Sequence, residues 1–202
     1  MLRFTSILIL CAGAFAQEQR IPQLKLEDTS GAQRVLAERM LKETRSGLTG
    51  PFNSMLRSPE MSGGLMDLYN YFRKTTALPR PLVELAILVT AREWSSQFEW
   101  FMHYPIARTE GVSAALLADL RTGKRPSAMK PDEAAVYDFA SEILRVHKVS
   151  DATYGKALGL LGEKNVVDLT ALIGTYATYA ALLNVNQIAP PAATGDQVLP
   201  LK

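Results

Sequence analysis

The chain has 202 residues, almost half of them apolar, with 22 basic and 20 acidic side chains. This near balance, with no basic block and no basic–aromatic stripe, excludes a nucleic-acid surface of the usual electrostatic kind. A single cysteine excludes a disulfide framework.

In chain order, residues 1–16 read as a secretory signal peptide. MLRF carries a positive charge, TSILILCAGAFA is an apolar run too short to span a bilayer, and Ala14-Phe15-Ala16 is a small-x-small cleavage signal. Cys11 lies inside this segment after Leu10, a poor match to a lipoprotein signal that leaves lipidation of Cys11 undecided. Cleavage after Ala16 would leave a periplasmic or secreted chain with no cysteine. Residues 17–31 read as a polar N-terminal arm.

A first helix is expected over 32–46, with Val35, Leu36, Met40 and Leu41 on one side, and a turn-rich loop follows through residue 64. Helical spacing of Leu65, Leu68, Tyr69 and Phe72 predicts a helix over 61–76. Pro81 suits the first turn of the next helix, LVELAILVTAREW, which is apolar nearly all round and should be central. Ser95 or Ser96 opens another, ending near Glu110 and Gly111, with a kink expected at Pro105 just beyond His103. Three further helices are expected over 113–122, 132–147 and 150–161, and a long one rich in small residues over 163–184. That last segment reads as a core or subunit-interface helix rather than a membrane span, and residues 189–202 read as a flexible or extended tail. No stretch alternates with period two, so the chain reads as all-α, a single helical domain over 32–188.

Three groups carry the chemistry. Glu84 is a carboxylate in the most apolar helix, where it must find a partner or lose its charge. Arg80, Arg92 or a backbone group could pair with it structurally. Glu99 and His103 are four residues apart and share a helix face, so a carboxylate could orient the imidazole for acid–base work. A second reading stays open: Ser96-x-x-Glu99 has the form of a capping box, and Trp94, Phe98, Trp100 and Phe101 then make His103 a core residue. His147 falls in the last turn of its helix, where a cation complements the dipole. Two distant histidines and no mature cysteine leave too few ligands for zinc, and neither a metal nor a cofactor is expected.

Several pieces, GPFNSMLRSPE, LPRPLVELAILVTAREWSSQFEWFMHYPIARTEGVS, DEAAVYDFASEILRVHKVSDATY and the late Tyr-rich helix ending in LLN, resemble the carboxymuconolactone decarboxylase family. That family includes the alkyl hydroperoxidase D-like proteins, and the resemblance covers about residues 47–188. It implies an all-helical fold of about seven helices, assembly into a homo-oligomer (dimer, trimer or hexamer), and a site between the two central helices. In the hydroperoxidase branch that site is a glutamate, a Cys-x-x-Cys and a histidine. Here Glu84 and His103 match the first and last, while Ser96 and Glu99 occupy the cysteine positions. Neither can perform thiol–disulfide exchange, so cysteine-dependent peroxidase chemistry is not expected. Proton-transfer chemistry of the decarboxylase kind remains, on a small lactone or carboxylic acid. The expected site is Glu84, Ser96, Glu99 and His103: His103, oriented by Glu99, would supply the proton, Glu84 would tune it or act as a second acid, and Arg92 or Arg108 would hold the substrate carboxylate. A non-catalytic binding oligomer of the same fold is the competing expectation.

Overall fold

The computed structural model describes residues 19–191 and 195–200. The expected signal peptide, Cys11 and the ends of the two terminal segments lie outside the described residues. Those residues contain nine α-helices and no strand, against about seven helices expected. They are α1 (Gly31–Glu43), α2 (Pro51–Met55), α3 (Pro59–Lys74), α4 (Arg80–Glu93), α5 (Gln97–Thr109), α6 (Ala114–Arg121), α7 (Pro131–Val146), α8 (Asp151–Leu161) and α9 (Glu163–Val185).

The hub is α4. Every residue from Leu82 to Arg92 is buried, and the helix packs against α5, α7 and α9. Its lack of a polar face leaves it no position except the centre. Pro81 occupies its first turn as expected. At its other end the amide of Ser96 donates to the Ala91 carbonyl (2.8 Å) and that of Ser95 to the Arg92 carbonyl (3.2 Å). Ser95 sits in the left-handed region, with φ of 50°. This is a Schellman turn made without glycine, and it folds α5 back along α4 within three residues.

The same turn closes α5. Val112 donates to the Ala107 carbonyl at 2.9 Å across Gly111, whose φ is 99°. Helix α5 runs uninterrupted through Pro105, which lies on its exposed side. By length and hydropathy α9 could cross a membrane, yet Leu169, Leu172, Ile173, Tyr176 and Tyr179 are buried in the helical core.

Several local expectations need correction. Gly50-Pro51 punctuates a loop and also opens α2, because proline at the first helical position loses no hydrogen bond. Val35 and Leu41 are exposed; the buried face of α1 is Leu36, Ala37 and Met40. Trp94 is exposed beside the Schellman turn rather than in the core. His147 caps α7 in the left-handed conformation instead of standing in its last turn.

Residues 195–200 are docked, an outcome the proline-rich tail did not suggest. Leu199 is buried in the core, and its amide and carbonyl both bond the Gln97 side chain at 3.0 and 2.9 Å. Trp100 donates to the Asp196 carbonyl, and Arg121 donates to the carbonyls of Val198 and Gly195. The arm is tied down as well: Leu24 and the Asn53 side chain exchange two hydrogen bonds, at 3.0 and 2.8 Å.

Candidate functional site

The tight turn after α4 brings Glu84 opposite His103. The Nδ1 of His103 lies 2.7 Å from Glu84 Oε2. The other carboxylate oxygen accepts from Arg80 Nη2 at 2.6 Å, and Arg73 Nη1 lies 3.5 Å away. Glu84 is completely buried. Burial pushes its pKa up, but the charge and hydrogen bond of His103, with Arg80 and Arg73, outweigh this and hold it below the ordinary carboxylate value. An ionised Glu84 keeps the imidazole proton on Nδ1 and turns Nε2 away from itself.

Nε2 faces Glu99, with Oε2 at 3.6 Å, too long for a hydrogen bond. Glu99 is buried, and among the described residues its ion-pair-distance neighbour is His103. Its pKa is pushed up to about 7, chiefly by desolvation; His103 opposes the shift and the Glu84 charge adds to it. Two carboxylates on one imidazole are thus driven in opposite directions, one held charged and one held near its midpoint at neutral pH. Such a split divides acid from base.

Glu99 and His103 open onto a cavity of about 50 Å³, several times the space one water needs. Phe52, Tyr69, Phe98, Met102, Ile106 and Tyr179 give it a mainly apolar wall, and Arg45, Arg73 and Tyr176 add polar groups. The Tyr176 ring meets His103 edge-on at 5.2 Å. Burial, then Glu84 and Glu99, push its phenol well above the ordinary value, so it stays a neutral O–H donor. Arg73 enters from α3 and Arg45 stands exposed at the rim, in the segment between α1 and α2. Among the described residues no group of three or more His, Cys, Asp or Glu side chains is placed to hold a metal ion.

The structure therefore brings together Glu84, Glu99 and His103. It does not bring Ser96 to the cavity. The Ser96 side chain makes no cap bond at the start of α5, and its Oγ is buried without a hydrogen-bond partner. The capping-box reading fails for the same reason, because Glu99 turns inward to His103. Arg92 is a correction. Its side chain is buried away from the cavity, donating to the Pro200 carbonyl at 2.7 Å and packed against Gly123. Arg108 is another: it is exposed on α5 and lines no part of the cavity. The arginines that line the cavity are Arg73 and Arg45, neither of them singled out by the sequence. Tyr69 and Arg73 stand four apart on α3 and Tyr176 and Tyr179 three apart on α9, a helical spacing that shows a shared face but not what it faces.

No family model and no curated relative matches the chain. Solved structures do match. The AhpD core of an uncharacterized peroxidase-related protein from Ralstonia eutropha aligns with a TM-score of 0.69 at 18% identity, covering 86% of this chain and 92% of that one. The fold is that of the alkylhydroperoxidase AhpD core. A protein of unknown function from Agrobacterium tumefaciens, described as a candidate AhpD antioxidant defence protein, aligns with a TM-score of 0.63 at 18% identity. That match covers 72% of this chain and all of the other. At this identity the likeness fixes the AhpD-like architecture and leaves the chemistry to the residues at the site.

Proposed function

We propose that this AhpD-like protein catalyses proton transfer, a decarboxylation or isomerisation, on a small lactone or carboxylic acid. The observation that carries the reading is the Glu84–His103–Glu99 array at the cavity wall, with one carboxylate charged and the other near neutrality. Arg73 and Arg45 would hold the substrate carboxylate by charge-assisted hydrogen bonds. In a decarboxylation the carbon–carboxylate bond breaks and its electron pair stays on the substrate as an enolate. The Glu99 proton, passed directly or through His103 Nε2, then protonates that carbon. Glu84 keeps Nδ1 protonated throughout, so the imidazole always presents Nε2 to the cavity. Isomerisation uses the same groups in sequence, base first and acid second.

The neighbours' peroxidase-related labels suggest a second chemistry, but a thiol peroxidase needs a thiolate, and Ser96 and Glu99 stand where the two cysteines would be. Export through residues 1–16 and assembly into a homo-oligomer belong to the same proposal. The exposed Val35, Met61, Trp94, Val146 and Val185 are consistent with surface for subunit contacts.

The test is a panel of small lactone acids incubated with the protein in D2O and followed by proton NMR. Deuterium is expected at the carbon next to the reacting carbonyl, or carbon dioxide is released. Arg73→Met is expected to raise KM more than it lowers kcat. A panel unchanged by the protein, or one consumed equally well by Arg73→Met, would sink the reading.

A further inference from the structure

Phe98 lines two spaces. One is the reaction cavity of about 50 Å³; the other is a groove of about 350 Å³ on the outer side of the same ring. The groove is lined by Ile21 and Gln23 of the arm, by Ile188 and Pro190 after α9, and by Thr49, Asn53 and Phe98. None of the residues lining it carries a charge.

Its walls are fastened. The Arg20 amide donates to the Asn186 carbonyl and its guanidinium to the Val185 carbonyl, both at 3.1 Å, tying the arm to the end of α9. Arg57 donates to the Pro22 carbonyl, and Asn53 holds Leu24. After α9, a Schellman turn at Gln187 sets the direction of Ile188: its amide donates to the Leu183 carbonyl at 2.9 Å.

Phe98 is the side chain common to the linings of the two spaces. Phe98 is buried against Gly50, where an added Cβ would lie 2.5 Å from the ring. Glycine is also what the backbone there requires, with φ of 63°. The ring thus rests directly on the Gly50 backbone. A cavity of about 50 Å³ accepts the reacting group and few further atoms, so a larger molecule must extend past its wall, and the adjoining space is the uncharged groove.

We propose that the groove is the outer half of the binding site, that it takes an uncharged, mainly hydrocarbon end of the substrate, and that Phe98 stands at the boundary between the halves. This rests on the proton-transfer reading for the head group. It adds a specificity determinant: chain length beyond the carboxylate is read by Ile21, Ile188 and Pro190, outside the reaction cavity.

The experiment uses the straight-chain alkanoic acids from acetate to decanoate as probes, with binding followed by the imidazole NMR signals of His103. In the unaltered protein, affinity is expected to rise about fourfold per methylene once the chain outgrows the cavity. Ile21→Trp fills the groove without touching the cavity, and should flatten this dependence while leaving the shortest acids unaffected. Thr49→Trp serves the same purpose if that variant does not fold. Binding of short acids without a gain from length, or a gain that survives both tryptophan variants, overturns the proposal and leaves the proton-transfer reading intact. If no acid of any length moves the His103 signals, acid binding at the cavity fails, and this proposal with it.

Discussion

Alanine at position 103 is expected to lower turnover of any substrate found for the cavity by about a hundred- to ten-thousand-fold, the range associated with a positioned acid–base group. His103 reaches both carboxylates, at 2.7 Å from Glu84 and 3.6 Å from Glu99. Removing it disconnects the charged carboxylate from the one that holds a proton. The fold should survive. Glu84 keeps Arg80 and Arg73, so the cost is one unpaired buried oxygen, about 1–3 kcal/mol by denaturant unfolding. Turnover of His103→Ala equal to that of the unaltered protein would remove the imidazole from the mechanism.

The largest stability effect is expected at Glu84. In Glu84→Ala, one completely buried acceptor is lost, and His103, Arg80 and Arg73 lose their common partner. Breaking a buried ion pair from one side costs about 3–5 kcal/mol. Arg80 and Arg73 retain some access to water, which places the loss near the lower end, about 3 kcal/mol by denaturant unfolding. The pH dependence has a fixed sign. The folded pKa of Glu84 lies below its ordinary value. Its contribution is therefore complete above the ordinary carboxylate range and is lost as pH falls through the lower folded value. The gap between the unaltered protein and Glu84→Ala should narrow in acid. A gap that stays constant with pH, or one under about 1 kcal/mol at neutral pH, would contradict the arrangement around Glu84.

The central part of this site is legible in the sequence because its signals are local. Glu84 is conspicuous as a carboxylate in a helix with no polar face, and the four-residue spacing of Glu99 and His103 places them together on α5 whatever else surrounds them. The short polar turn between the helices forces α5 back along α4, so the pairing across them follows. Arg92 and Arg108 lie outside the cavity for a geometric reason. Arg92 is eight residues from Glu84, about 12 Å along the helix and roughly 80° around it. Arg108 is five residues from His103, roughly 140° around α5. Both therefore lie away from the cavity, whereas Arg80, one turn from Glu84, pairs with that carboxylate.

What was not legible comes from distant elements. Arg73, Arg45 and Tyr176 reach the cavity from α3, from the segment after α1 and from α9, and nothing in their neighbouring residues marks that destination. The docked tail has the same explanation. Gln97, Arg92, Trp100 and Arg121 hold its backbone carbonyls, and a side chain that bonds a backbone about a hundred residues away leaves no periodic trace. The prolines at 190 and 191 signal that a helix cannot continue, but that signal says nothing of where residues 195–200 settle.

The most direct measurement is the pH titration of the Glu99 side-chain carboxyl carbon by NMR in the full chain, assigned by comparison with Glu99→Gln. The predicted midpoint is about 7, the consequence of burial partly offset by His103 and reinforced by the Glu84 charge. A midpoint near the ordinary glutamate value of about 4.3 would mean that Glu99 is solvated and fully ionised at neutral pH, with no proton to deliver to the cavity.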